Sequence, residues 1–398
     1  MLTIDSVYRA KRALEGVARK TDVIYAPKLC PGKELYLKTE NLQVTGSFKV
    51  RGAYYKMTCL SEEEKARGVV ACSAGNHAQG VALAAKKNGI KAVICLPDGA
   101  PISKVEATKS YGAEVCLVEG VYDDAYQKAL QLRDEKGYTF LHPFNDEDVI
   151  AGQGTIALEI VEQLPDVDAV IVPIGGGGLI SGIAYTIKTL NPRVKVYGVE
   201  ASGAPCMKNA LKEGSLATLS SVSTIADGIA VKQPGDLTYE LCNKYVDEIV
   251  TVTDDEISAA ILALMETQKL VTEGAGAVAV AAAMFNKVDL TGKKTVCLLS
   301  GGNIDVTILS RVISRGLLMS GRNCQLRIEL VDKPGQLKNV SRIIADLGGN
   351  VTSVRHERSN EGSDVNGCYL RIVLETRNFE HIEQIRKALQ AEGFKLID

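Results

Sequence analysis

One lysine and three glycine-containing turns carry the chemistry available to this sequence. Lys49 stands in Thr45-Gly46-Ser47-Phe48-Lys49-Val50-Arg51-Gly52, with apolar neighbours on both sides. A lysine withdrawn from water loses proton affinity, and its free amine is a nucleophile and a base. Gly175-Gly176-Gly177-Gly178 follows an apolar run at 169–173 and precedes a helical pattern from Leu179. Four glycines present four backbone N–H groups with no Cβ in the way, at the positive end of a helix, and those are the requirements for holding a phosphate. Two familiar alternatives fail here. A dinucleotide turn needs a further glycine where Ile180 and Ser181 stand, and a P-loop needs a Gly-Lys-Ser/Thr ending that is missing. The loop reads as a cup for one phosphate.

The second turn is Ser73-Ala74-Gly75-Asn76-His77. Ser73 is placed as a helix N-cap, small residues admit a ligand at the helix start, and the Asn76 amide suits a ring oxygen or a carboxylate. His77 reads as part of a helix wall, because no serine or cysteine nucleophile pattern accompanies it. The third turn, Ser300-Gly301-Gly302-Asn303, follows an apolar run at 295–299 and offers a hydroxyl at the same sheet edge. In open α/β sheets, ligands bind outside the carboxyl ends of the strands, where all three turns fall.

The elements that must position these groups alternate along the chain. Short apolar runs at 68–71, 92–96, 114–118, 169–173, 194–199 and 295–299 are strand-like. Helical patterns at 77–87, 122–136, 154–164, 179–190 and 255–270 lie between them. Strand, crossover helix and strand is the signature of a parallel sheet covered on both faces. Residues 1–318 therefore read as a two-lobed, doubly wound α/β body, with the smaller lobe at roughly 50–150. A helix at 304–318 ends this body and a linker at 319–322 follows. The remainder, 323–398, changes character: strand 324–330 alternates polar and apolar, and a turn at Asp332-Lys333-Pro334-Gly335 opens a helix at 337–347. Strand 351–358, a polar loop at 359–366, strand 368–375, helix 380–391 and strand 394–397 complete a β-α-β-β-α-β, ferredoxin-like order.

Composition excludes several classes. The 46 Lys and Arg against 48 Asp and Glu give a net charge of -2, with no bulk attraction to nucleic acid or an anionic membrane. Tryptophan is absent and aromatics are 5%, which argues against stacking surfaces for single strands. The most apolar stretch, 275–285, is too short for a bilayer, and the N-terminus lacks a signal-peptide core. Ten scattered cysteines with no C-x-x-C pair read as buried free thiols in a reducing cytoplasm.

Ser47-Phe48-Lys49, Ser73-Ala74-Gly75-Asn76-His77, the four glycines and Ser300-Gly301-Gly302-Asn303, in this order, resemble the pyridoxal-phosphate-dependent threonine dehydratase (threonine ammonia-lyase) family of the tryptophan-synthase-β fold type. The match covers roughly 5–318, and the tail at 323–398, with Asp332-Lys333-Pro334-Gly335-Gln336-Leu337, resembles an ACT regulatory domain. The resemblance implies that Lys49 binds the cofactor's aldehyde, Phe48 packs under the ring and Asn76 bonds its 3′-oxygen. Gly175, Gly176, Gly177 and Gly178 hold the phosphate, and Ser300 bonds the pyridine nitrogen. The loop of Ser73, Ala74, Gly75, Asn76 and His77 receives the substrate carboxylate. A serine at the ring nitrogen leaves the ring neutral and a weaker electron sink, which suits a reaction that expels a β-substituent at once. Threonine would give 2-oxobutanoate and serine would give pyruvate.

The resemblance also implies a cation beside the phosphate loop at Glu200 and the Ala204 carbonyl. The next expected carboxylate is Cys206 here, which points to a monovalent ion. Asp332, Pro334, Gly335 and Leu337 would contact an amino-acid effector, and the chain would form homodimers or homotetramers. In serine racemases of this fold a serine precedes the Gly-Asn pair as the opposite-face acid and base; Ala74 carries no proton. Racemisation, β-replacement and a non-catalytic amino-acid sensor are the alternatives.

Overall fold

The computed structural model describes residues 2–358 and 367–397, so the polar loop expected at 359–366 lies outside the described residues. The chain divides into two compact units, Met1–Leu309 and Ser310–Asp398, and the division falls within the helix Val306–Met319.

The first unit holds two sheets. Strands β1 (Val23–Tyr25), β2 (Leu35–Lys38), β3 (Val69–Cys72), β4 (Ala92–Pro97), β5 (Glu114–Val118) and β6 (Thr139–Phe140) come first. Strands β7 (Ala169–Pro173), β8 (Lys195–Ala201), β9 (Glu248–Val252) and β10 (Thr295–Leu298) follow. The smaller sheet has the order β5-β4-β3-β6 and is parallel throughout. The larger has the order β1-β2-β10-β7-β8-β9, parallel except for the β1–β2 pair. Central strands of such sheets are covered on both faces, so they read as unbroken apolar runs. β3, β7 and β10 are buried at every residue. Strands β1, β2, β6 and β9 are not among the expected runs. β1, β6 and β9 are mostly half-buried or exposed and β2 ends on the buried Lys38, so none of them presents an unbroken apolar run.

Three close helix crossings connect the sites at which ligand-facing loops begin. A Cβ on Gly80 would lie 3.0 Å from the Lys49 carbonyl carbon, so helix Asn76–Asn88 packs on the first turn of helix Lys49–Thr58. A Cβ on Gly152 would lie 2.6 Å from the Gly52 Cα, and one on Gly182 would lie 2.7 Å from the Gly154 amide nitrogen. Helix Glu147–Gln163 is thus wedged between the lysine helix and helix Gly178–Leu190. It starts before the expected 154, because Asp146 caps it by accepting from the amides of Asp148 and Val149. The helix expected at 255–270 is α-helical over Asp254–Ala263 and continues as one wider π turn, Leu264–Gln268, closed by Lys269 at φ 60°. The apolar stretch near 275–285 is the buried helix Gly274–Met284. No helix among the described residues is long and apolar enough to cross a membrane.

The second unit has strands β11 (Asn323–Val331), β12 (Asn350–Glu357), β13 (Gly367–Glu375) and β14 (Lys395–Ile397), in the antiparallel order β12-β13-β11-β14. Helices Gln336–Asp346 and Phe379–Ala391 cover one face. The alternation is explicit in β13, whose Cys368, Leu370, Ile372 and Leu374 are buried while the residues between them are half-exposed. The ferredoxin-like order expected from the sequence is present.

Candidate active site

Between the two sheets of the first unit lies a cavity of about 710 Å³, lined by Phe48, Lys49, all of Ser73–His77, all four glycines and Ser300. The three turns and the lysine, which lie far apart along the chain, meet in one place.

Lys49 opens its helix, and its loop is fixed by the Ser300 turn. Ser47 forms a β-bridge with Gly301, the Phe48 amide donates to the Ser300 carbonyl at 3.2 Å, and the Gly302 amide donates to the Gly46 carbonyl at 2.8 Å. The Lys49 Nζ donates to the Pro143 carbonyl at 2.8 Å and lies 5.3 Å from the centre of the Phe48 ring. Burial lowers its amine to about 8, against the opposing pull of the Glu273 carboxylate. Phe144, next to Pro143, packs on the glycine loop: a Cβ at Gly176 would sit 2.3 Å from its ring, and one at Gly178 would sit 2.7 Å from its carbonyl oxygen. The lysine amine therefore reaches the segment that rests on the glycines.

The glycine loop is held from behind. Thr238 Oγ1 donates to the Gly176 carbonyl at 2.6 Å and Cys206 Sγ donates to the Gly175 carbonyl at 3.6 Å. Gly177 adopts φ +97°, and a side chain there would also meet Met207 and Thr238. Helix Gly178–Leu190 begins at the loop, so its first amides have no partner within the helix and form an anion site. A buried amine, a Cβ-free row of amides and an amide and a hydroxyl across the cavity make a donor set that fits pyridoxal phosphate.

Ser300 Oγ donates to the Ala275 carbonyl at 3.2 Å. Asn76 Nδ2 donates to Glu273 Oε1 at 2.6 Å, and Asn76 Oδ1 accepts from Asn303 Nδ2 at 2.8 Å. Ser73 Oγ accepts from the Gly75 amide at 3.2 Å, and Ala74 lines the same wall. His77 is buried with Nε2 on the Leu141 carbonyl at 2.9 Å. Burial and the neighbouring Lys49 charge push its imidazole down to about 3, so it stays neutral as a wall residue.

Glu273 is a site residue that sequence reasoning missed. It is buried beside Asn76, and burial together with Asp227 raises its carboxyl to about 7. The one signal was a single acid at the head of an otherwise Ala-, Val- and Gly-rich run. Asp227, in the segment Thr224–Gly228, also lines the cavity and pairs with Lys104 from the smaller lobe at 2.6 Å. Glu200 is buried behind the glycine loop. Its two carboxylate oxygens accept from the Met207 and Lys208 amides at 2.8 and 2.9 Å, and burial raises it to about 7. Ala204 is buried two residues before Cys206. Pro334 and Gly335 form the turn that opens helix Gln336–Asp346, with Gly335 at φ +94°, while Asp332 and Leu337 are partly exposed there.

This fold and site define a pyridoxal-phosphate enzyme with an appended ferredoxin-like unit. Residues 14–301 match the model of the pyridoxal-phosphate dependent enzyme family and 325–393 match the ACT domain. The chain belongs to the pyridoxal-phosphate dependent enzyme family. It is 51% identical, over 100% of its length and 99% of the relative's, to the L-threonine ammonia-lyase of Thermotoga maritima. Among solved structures, the processed form of threonine deaminase isoform 2 from Solanum lycopersicum is 39% identical with a TM-score of 0.75, over 79% of this chain and 88% of that one. Maize serine racemase is 36% identical with a TM-score of 0.75, over 80% of this chain and 98% of that one.

Proposed function

We propose that this chain deaminates L-threonine to 2-oxobutanoate and ammonia, and L-serine to pyruvate and ammonia, under control of an amino acid bound at the ACT domain. The observation that carries the reading is the Lys49 amine, buried and lowered to about 8, in one cavity with the glycine loop and the Ser73–His77 turn. When bound, pyridoxal phosphate supplies an electron sink next to the substrate Cα. Gly175 to Gly178 would hold its phosphate, Lys49 its aldehyde carbon, Asn76 its ring oxygen and Ser300 its ring nitrogen, with Phe48 against the ring. The Ser73–His77 turn takes the substrate carboxylate on its amides and on the Ser73 hydroxyl. The Lys49 amine would remove the Cα proton, which its lowered proton affinity permits near neutral pH. Ser300 would offer the ring nitrogen a hydrogen bond and brings no charge, which favours loss of the β-hydroxyl over prolonged storage of charge. Purified protein given L-threonine should release 2-oxobutanoate and ammonia in equal amounts. Formation of D-serine from L-serine, or of a thioether with an added thiol, as the main product would replace this reading; turnover of neither substrate by cofactor-loaded protein would leave the sensor.

The likeness to a racemase makes Ala74 the discriminating position. Ala74→Ser should open slow racemisation of serine beside continued deamination, read by chiral analysis of the remaining serine. Unchanged enantiomeric purity would count against placing Ala74 on the substrate face opposite the lysine.

For regulation we assign Asp332, Pro334, Gly335 and Leu337 to the effector. Ending the chain after Leu318 should keep turnover and abolish every response to isoleucine or valine, measured in steady-state assays; a folded, soluble but inactive product would show that the tail does more than regulate. For the cation we keep Glu200 and the Ala204 carbonyl, since a carboxylate accepting two bonds still has two acceptor positions. Equal turnover in potassium, sodium and tetramethylammonium buffers would remove that ion. We take the protein to be a cytoplasmic homodimer or homotetramer, and sedimentation at the 42.6 kDa chain mass would refute the assembly.

A further inference from the structure

Asp332, His356 and Cys368 are brought together by the topology of the second unit. The register of β13 against its two neighbours opposes Cys368 to Leu330 of β11, and opposes Leu370 to His356 of β12. All of these lie on the helix-covered face. Asp332 continues β11 by one residue beyond Val331, two residues from Leu330, and so returns to that face. Three adjacent strands therefore each deliver one side chain to one end of the sheet. A carboxylate oxygen, an imidazole nitrogen and the thiol sulfur all lie within 4.8 Å of one another.

From this juxtaposition we propose that Asp332, His356 and Cys368 form a mononuclear site for a divalent transition metal of the zinc class, with solvent as the fourth ligand, so that a bound ion and the effector would compete for the Asp332 carboxylate. Oxygen, nitrogen and sulfur in a mixed set of three select zinc-like ions over magnesium or calcium, which take oxygen alone. The two carboxylate oxygens of Asp332 have separate surroundings. Oδ1 faces His356 Nε2 at 3.9 Å, and Oδ2 is 3.1 Å from the Arg358 guanidinium. Arg358 thus orients the carboxylate from outside and leaves its other oxygen for the metal, as outer partners of metal sites do. Asp332 and His356 have side chains 37% and 42% exposed, which gives the ion a way in, whereas Cys368 is buried. Binding M²⁺ forms the metal–sulfur bond, breaks the S–H bond and releases one proton to solvent, with no change of oxidation state.

The test uses the full-length, cofactor-loaded protein titrated with Co²⁺ alone. One ion per chain should bind, with the intense absorption of a thiolate-bound tetrahedral cobalt. Cys368→Ser should remove the sulfur-to-metal absorption, and His356→Gln, which removes a direct ligand, should weaken binding by more than the roughly 10–100-fold that loss of an outer partner costs. Both variants should keep basal turnover, and Cys59→Ser, at an exposed thiol, should leave the cobalt spectrum unchanged. His356→Gln alters an exposed residue, so it remains informative if Cys368→Ser does not fold. Absence of saturable binding at one ion per chain, a sulfur band that survives Cys368→Ser, or affinity unaffected by His356→Gln each overturns the site.

Discussion

Lys49→Ala should lower kcat on threonine by at least about 10⁴-fold and remove the visible absorption of lysine-bound pyridoxal phosphate from the isolated protein. The size of the effect follows from two tasks resting on one amine, attachment of the cofactor and removal of the Cα proton. The amine is equipped for both. Burial lowers it from an ordinary 10.5 to about 8, so at pH 7 about one amine in ten is unprotonated, against about one in three thousand for an exposed lysine. The sign gives a second readout. Capture of added pyridoxal phosphate by cofactor-free protein should accelerate as pH rises from 6 and level off above about 8, because the reactive base populates above the depressed value. Folding should be retained in Lys49→Ala, since the Nζ makes a single hydrogen bond, to Pro143, and circular dichroism checks that point. Turnover or the visible band persisting in the variant would sink the assignment, and a capture rate indifferent to pH would remove the buried amine as its cause.

How much of this site was legible in advance depended on whether a residue announced itself locally. The glycine loop did, because four consecutive glycines after an apolar run have few other uses. β7 and β10 did, because burial on both faces forces unbroken apolar sequence. Glu273 did not. A lone acid is ordinary by type, and only the fold shows it buried against Asn76, 197 positions away. Phe144 and Pro143 were likewise invisible, since their importance comes from the close approach of Phe144 to Gly176 and Gly178, a tertiary fact with no sequence period. β1 and β6, with three and two residues, are strands only because a longer neighbour supplies their partners. The second unit was the easiest to read, because β11 and β13 write their alternation into the sequence. Its Asp332, His356 and Cys368 cluster was hidden for the opposite reason: their spacing along the chain matches no metal-binding pattern, and sheet register alone joins them.

Arg51→Met should cost about 3–5 kcal/mol of stability, the largest loss expected from one substitution outside the cavity. Arg51 is 1% exposed, two residues beyond Lys49 on the same helix. Its guanidinium bonds Glu40 through Nε and Nη2, both at 2.8 Å, and Glu159 through Nη1 at 2.7 Å and Nη2 at 3.0 Å. Lys38 adds a bond to Glu159 at 2.5 Å. Methionine fills much of the volume and leaves two buried carboxylates short of positive charge, so the penalty is that of the stranded acids rather than of lost packing. In a unit spanning Met1–Leu309 the loss corresponds to a fall in Tm of roughly 5–8 °C. Acid sensitivity gives the sign of the electrostatics. Burial alone would raise Glu40, but the Arg51 charge and hydrogen bonds outweigh it and hold the carboxyl below its ordinary 4.5. A depressed carboxylate stabilises the fold above its unfolded value, and that contribution disappears as pH falls through the folded one. Without Arg51 the acid midpoint of unfolding should therefore move upward in pH. The consequence for catalysis runs through geometry. Glu40 lies beside the Lys49 loop and Glu159 on the wedged helix Glu147–Gln163, whose Gly154 meets Gly182 on the helix that follows the phosphate loop. One guanidinium thus pins the lysine helix to the element that sets its distance from the glycines. Well below its Tm the variant should turn over threonine more slowly with cofactor still bound. A variant that melts within about 2 °C of the parent, with an unshifted acid midpoint, would show that these charges are neutralised by other means and that packing alone holds the lysine in place.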